Sequence, residues 1–295
     1  MITVNSYFCG AGLMDAGLTR AGIKIGQAFE LDKDACTTYR ANFGDHLEQC
    51  DLTQKLVLEQ DTCDGMVFTY PCTKYSSAGE MHGTRLGDDL FLHALRHLAV
   101  ARPEFYVVEN VPGMAAFPLV MEAMSKMPDY YVQIFAPVEA TTWLPQRRSR
   151  LIIVGTKRSF NMRPPEATRP VTLAEIIEDD PRVTYHKSIA KRMNGEYRDR
   201  PIISDPAKGD VAPCAVAHYS KDRSTRLVVD RRYKLGVRPY SVREYARLQG
   251  LPDTFHFPVT DNAAMKQIGN GVPEPIGFWV GTELTRYMKQ EKLAA

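Results

Sequence analysis

No apolar run in this chain of 295 residues approaches the roughly 20 residues that cross a bilayer. The opening Met1-Ile2-Thr3-Val4 also lacks the basic start and apolar core of a secretory signal. A cytoplasmic protein without a membrane partner is expected. No C-x-x-C pair occurs among the six cysteines, at positions 9, 36, 50, 63, 72 and 214, so neither a zinc site nor a disulfide framework is suggested. His93 and His97 stand four apart on an expected helix, but no acidic or cysteine partner is spaced to complete a site, and no metal is expected. Repeats with periods of about 20 to 50 residues and low-complexity tracts are absent too, which sets aside solenoids and disordered arrays.

Net charge is nearly absent, at +2, but it is unevenly spread. Between Lys157 and Arg238 stand 18 Lys and Arg against 11 Asp and Glu, whereas the rest of the chain has 19 against 24. A basic segment is most often a solvated face; it is also the electrostatic footprint of a polyanion-binding module. Composition is otherwise that of a globular chain, 44% hydrophobic and 24% charged, long enough for one large α/β domain and a smaller one.

Ile2 to Phe8 reads as a strand that runs into Cys9-Gly10-Ala11-Gly12 and then an amphipathic stretch, Leu13 to Ala21. Strand, Gly-x-Gly turn and helix open a Rossmann-like unit, in which glycines let the backbone approach a ligand. Asp15 stands where a third glycine would be, so the fingerprint is incomplete. A second strand, Ile23 to Phe29, ends at Glu30, about 20 residues past the glycines, where an acid commonly binds a ribose; a solvated glutamate at a strand end is the plainer alternative. A helix from Lys33 to Asn42 and a third strand, Glu48 to Asp51, follow.

The apolar run Gly65 to Phe68 predicts a buried fourth strand, and Thr69-Tyr-Pro-Cys-Thr-Lys-Tyr-Ser76 follows it. Cys72 then sits just past a strand's carboxyl end, where open α/β sheets place their chemistry, and Pro71 stiffens its approach. A cysteine so placed is a candidate nucleophile, although a small buried hydrophobe is the commoner use of the residue. Gly83 to Gly87 is polar and glycine-bearing, and a helix is expected from about Asp88 to Ala101. A fifth strand, Phe105 to Val108, delivers Glu109-Asn110-Val111-Pro112 beside the cysteine loop. Pro118 opens a helix, and Tyr131 to Pro137 with Leu151 to Thr156 reads as a closing antiparallel pair. Between them, period-2 spacing puts Gln146, Arg148 and Arg150 on one face. From Lys157 the alternation stops, with a short helix over Thr172 to Glu178 and irregular segments after it. Ser241 caps a later helix with Glu244 at the capping-box position and Gly250 at its end. A last helix, Pro275 to Lys289, follows Gln267-Ile-Gly-Asn-Gly-Val-Pro273.

These elements, in this order, resemble the DNA (cytosine-5) methyltransferases: Phe8-x-Gly10-x-Gly12, Glu30, Asp51, Pro71-Cys72, Glu109-Asn110-Val111, Gln146-x-Arg148-x-Arg150, Arg243-Glu244-x-Ala246-Arg247-Leu248-Gln249-Gly250 and Gln267-Ile268-Gly269-Asn270. The resemblance spans almost the whole chain. It implies a Rossmann-like α/β methyltransferase sheet in residues 1–156, a smaller basic target-recognition domain in 157–238, and a return to the catalytic domain in 239–295. It implies S-adenosylmethionine as donor, with Phe8 against the adenine, Glu30 on the ribose and Asp51 on the adenine amine. Gly10, Ala11, Gly12, Leu13, Pro71 and Leu90 would line that site, closed by Asn270 and Val272. Cys72 would add to C6 of a flipped cytosine in double-stranded DNA, Glu109 would stabilise the ring, Arg150 would help hold the base and Arg148 would orient the loop. A monomer is expected, and no companion restriction endonuclease can be inferred. Thr69 and Thr73 depart from the family's Gly-x-Pro-Cys-Gln loop, while Ser76 is kept. The alternatives are a catalytically silent DNA-binding homologue, an enzyme acting on cytosine in RNA, and one using a modified donor; the Cys-Phe-Thr element of the RNA-modifying branch is absent.

Overall fold

A computed structural model describes residues 1–71, 90–167, 169–195, 198 and 202–294. Its centre is a seven-stranded sheet. Five strands run parallel to their neighbours: β1 (Thr3–Tyr7), β2 (Lys24–Glu30), β3 (Leu47–Gln49), β4 (Gly65–Phe68) and β5 (Phe105–Asn110). They lie in the order β3-β2-β1-β4-β5, and the antiparallel β7 (Ser149–Thr156) and β6 (Tyr131–Glu139) complete that side. The short apolar runs at β4 and β5 are buried on both faces, as parallel central strands must be.

Alternation along β5 sorts its side chains between two cores. Phe105 and Val107 pack on one face with Val4, Leu18 and Val154, against α1 (Leu13–Arg20) and the carboxyl-terminal α9 (Glu274–Ala294). Tyr106 and Val108 pack on the other with Tyr7, Phe68 and Ile153, under α3 (Leu90–Ala101) and α4 (Pro118–Ser125). Between β2 and β3 lies α2 (Lys33–Phe43), whose start is capped by the Asp32 carboxylate through Asp34 N and Ala35 N.

The remainder differs from the sequence reading in one respect. The short helix expected over Thr172 to Glu178 is α5 (Leu173–Ile176), but the residues after it, expected to be irregular, contain α6 (Lys187–Asn194) and a three-stranded sheet. That sheet joins β8 (Ile202–Ser204), β9 (Arg226–Val229) and β10 (Val237–Pro239), strands of three or four residues, too short to show a period. Phe160 and Met162, just past the expected boundary at Lys157, belong to the core of the large sheet. A third core joins Leu13 of α1 to Leu173, Ile176, Ala212 and Tyr219, and to α7 (Val242–Arg247) and α8 (Asp261–Asn270). Ser241 caps α7 and Glu244 closes the capping box, as the spacing predicts. Glu244 also meets the fully buried Arg238, which meets Asp230 on its other side, both at 2.7 Å. No described helix is long and apolar enough to cross a membrane.

Candidate active site

The strand order turns at β1, which pairs with β2 on one side and β4 on the other. Open α/β sheets bind ligands outside the carboxyl ends of the strands at such a switch point. A cavity of about 740 Å³ lies there, walled by the ends of β1, β2, β4 and β5, the start of β7 and the last turn of α8. It brings together most of the residues singled out from the sequence. Phe8, Gly10, Ala11, Leu13, Glu30 and Asp51 line one part. Pro71, Leu90, Asn270 and Val272 also line it, as do Glu109, Arg148 and Arg150. Gly12 does not. It stands behind the turn at φ 85°, where an added Cβ would lie 2.4 Å from the Phe43 ring. Cys72, with Thr73, Ser76 and the Gly83 to Gly87 stretch, lies outside the described residues.

The turn after β1 places a backbone donor toward Glu30. Gly10 N donates to Glu30 Oε2 at 2.8 Å, and Glu30 Oε1 accepts from Leu31 N and Asp32 N. Gly10 has φ 57°, and nothing lies within 4 Å of where a Cβ would project, so the turn leaves open space there. Phe8, also at positive φ, sets its ring edge-on to Tyr70 at 6.2 Å between centroids. Asp51 lies two residues beyond β3, not in it. Its carboxylate caps the next turn through Thr53 N, and that hydrogen bond holds its pKa below the usual value.

On the opposite wall, β5 is longer than expected and carries Glu109 and Asn110 within the strand, paired with Ile152 and Leu151. Glu109 is buried and meets Arg150 Nε at 2.7 Å. Burial raises the carboxyl's pKa, and the opposing pull of Arg150 and Arg148 does not cancel the rise. Gln146, Arg148 and Arg150 are all buried, while Arg147 between them is exposed, as the alternation predicts. Arg148 donates to the carbonyls of Ala215, Gly269 and Gly271, so it ties the chain at Ala215 to the end of α8. Asn110 Nδ2 donates to Tyr70 O at 3.1 Å and fixes the backbone leading into Pro71.

Lys266 escaped the sequence reading, and Gln267 entered it only as part of a motif, because no helix was expected at Asp261–Asn270. Lys266 reaches Asp32 at 2.7 Å, and both line the cavity together with Gln267. Thr260 as an N-cap signals that helix, with Ala264 and Ile268 four apart on its buried side. His97, one of the two histidines weighed for metal, instead contacts Gln60 and Arg96 and has its pKa pushed down to about 4 by burial.

The family described as C-5 cytosine-specific DNA methylase matches residues 2–286. Type II methyltransferase M1.ScrFI of Lactococcus lactis subsp. cremoris is 29% identical over 94% of this chain and 77% of its own. Type II methyltransferase M.FnuDI of Fusobacterium nucleatum is 26% identical over 95% and 93%. Among solved structures, the Entamoeba histolytica methyltransferase EhMeth superposes with a TM-score of 0.80 over 99% of this chain and 98% of that one. At 15% identity that likeness is one of fold.

Proposed function

This chain belongs to the C-5 cytosine-specific DNA methylase family, and from that premise we propose that its cavity holds S-adenosylmethionine beside a flipped-out cytosine, with Cys72 as the nucleophile. The enzyme is a DNA (cytosine-5) methyltransferase. What carries the finer reading is the opening of the glycine turn and of the buried Glu109–Arg150 pair into one cavity. The residues fit the donor. Gly10 leaves room at the turn, Glu30 Oε2 accepts one hydrogen bond and has a further lone pair for a ribose hydroxyl, and Phe8 offers a ring to the adenine. Asp51 lines the same wall. Bound there, the donor supplies an electrophilic methyl group on a sulfonium.

Cytosine C5 is too poor a nucleophile to take that methyl group unaided. The Cys72 thiolate forms a bond to C6, and the ring electrons shift toward N3 and C5. Glu109 keeps a proton available at N3, a role to which its raised pKa is suited, and Arg150 aligns the carboxylate. C5, so activated, is the atom that would accept the methyl group, the broken C–S bond's electrons remaining on sulfur to leave S-adenosylhomocysteine. Loss of the C5 proton to a base returns the electrons that expel the thiolate. A stacked base cannot be reached, so the target leaves the duplex at a cost of a few kcal/mol, offset by phosphate contacts from the basic segment between Lys157 and Arg238.

Duplex DNA carrying 5-fluorocytosine at the target tests this chemistry, because fluorine cannot leave as the C5 proton does. With S-adenosylmethionine present, the protein should remain attached through denaturing electrophoresis, and Cys72→Ala should give no adduct. Glu109→Gln should slow adduct formation by about 10²- to 10⁴-fold. An adduct in Cys72→Ala would move the nucleophile elsewhere. None in the wild type, on DNA it binds, would favour a silent binding protein.

A further inference from the structure

The strand ends that meet at the switch point are joined by a side chain as well as by the ladder. Parallel pairing of β1 with β4 runs to Tyr7 and Phe68, and Thr69 N then donates to Tyr7 O at 3.2 Å. In an extended, pleated strand the next carbonyl would point away from β4. Phe8 O instead turns toward the end of β4 and accepts from Thr69 Oγ1 at 2.9 Å. The same peptide unit sends Cys9 N the other way, to Phe29 O of β2 at 3.2 Å. It is therefore held from both sides of β1.

What is held there is a conformation that phenylalanine disfavours. Phe8 has φ 58°, in the left-handed region, where the Cβ of any residue but glycine crowds the following carbonyl oxygen. Among the described residues other than glycine, Arg102 and Asp129 also have positive φ, and neither lines the cavity. Phe8 and Thr69 both do. Strain of this kind persists where the surroundings over-determine it, and it gathers at ligand sites. Thr69 stands where the resemblance places a glycine, which has no hydroxyl to donate, so this bond comes from the chain's own departure in that loop.

We propose that Thr69 is a positioning residue for the methyl donor, its hydroxyl holding the Phe8 peptide in the left-handed turn that sets the Phe8 ring along the cavity wall. The assignment rests on the reading of that ring as the neighbour of the donor's adenine. Without the hydroxyl, Phe8 relaxes to negative φ in part of the population, and affinity falls with the fraction that stays competent. The contacts made in the bound state are unchanged.

Titration calorimetry with S-adenosylhomocysteine tests the lock. Thr69→Val and Thr69→Ala lack the hydroxyl, and each should bind about 3- to 10-fold more weakly than the wild type, the range that one lost hydrogen bond implies. Thr69→Ser keeps the donor and should bind as the wild type does. A double-mutant cycle then asks whether Thr69 acts through Phe8. In a Phe8→Ala background no ring remains to be placed, so Thr69→Val should weaken binding no further. Wild-type affinity in Thr69→Val and Thr69→Ala overturns the proposal, as does a Thr69→Ser protein as weak as Thr69→Val, or losses that add in the cycle. So does failure of both Thr69→Val and Thr69→Ala to fold where Thr69→Ser folds, since the hydroxyl would then be structural. A wild type that does not bind S-adenosylhomocysteine removes the donor reading itself, and the proposal with it.

Discussion

Asp15 occupies the position of a missing third glycine, and the fold turns it into a wholly buried acid. Ser6 Oγ donates to it at 2.8 Å and Tyr39 OH at 2.9 Å. Burial pushes its pKa up to about 6, against the opposing effect of those two hydrogen bonds. In the unfolded chain the group loses its proton near 3.8, so between that pH and 6 the folded state holds a proton that the unfolded state has released. Its contribution to stability is therefore complete below the lower value and is lost as the pH rises through the upper, a change of about 3 kcal/mol. Asp15→Asn keeps an acceptor and never ionises. Its thermal midpoint should exceed the wild type's at pH 8, and the difference should vanish near pH 4. A difference independent of pH would show that the buried carboxyl is not what titrates. The sequence showed Asp15 only as a defect in a glycine pattern, because burial is a property of the packed molecule.

At the scale of elements, the start of β7 is the joint of the site. Its alternation was legible because period-2 spacing is local, and so was the Ser241–Glu244 box, whose two partners lie within one helical turn. What Arg148 binds was not legible. Its guanidinium holds carbonyls from residues 67 and more than 120 positions away, so it orients the end of α8 and the 214–215 segment. Arg148→Met would leave those buried carbonyls without their charged donor, and each uncompensated group costs about 1–3 kcal/mol. Urea unfolding should register a loss of about 3 kcal/mol or more, with binding of S-adenosylhomocysteine weakened as the wall formed by α8 loosens. A variant as stable as the wild type would mean that these carbonyls find other donors. The same locality explains the misplaced ends. Glu109 and Asn110 looked like loop residues because polar side chains end an apolar run, whereas pairing with β7 keeps them in the strand.

For the whole molecule, the basic segment from Lys157 to Arg238 is our proposed source of sequence choice, yet its ends are built into the rest. Phe160 and Met162 pack on the large sheet, and Arg238 divides its guanidinium between the carboxylates of Asp230 and Glu244. Exchanging the entire segment for that of a relative should therefore cost solubility. Exchanging Arg163 to Arg226, with Leu173, Ile176, Ala212, Ala215 and Tyr219 kept, spares the shared core. That chimera should methylate a different sequence by bisulfite sequencing, and an active chimera with an unchanged target would assign recognition elsewhere. By itself, the sequence determined the α/β class, the parallel strands and the order of the motifs, since each depends on residues adjacent along the chain or a few apart. It also marked Glu30, Glu109, Arg148 and Arg150 as chemistry-bearing. Only the tertiary structure decided that β1 and β4 are neighbours, that Glu109 is buried against Arg150, and that Arg148 holds the carbonyls of Gly269 and Gly271. Those relations join residues from distant parts of the chain, and their energies come from burial and dielectric, which exist only once the chain has packed.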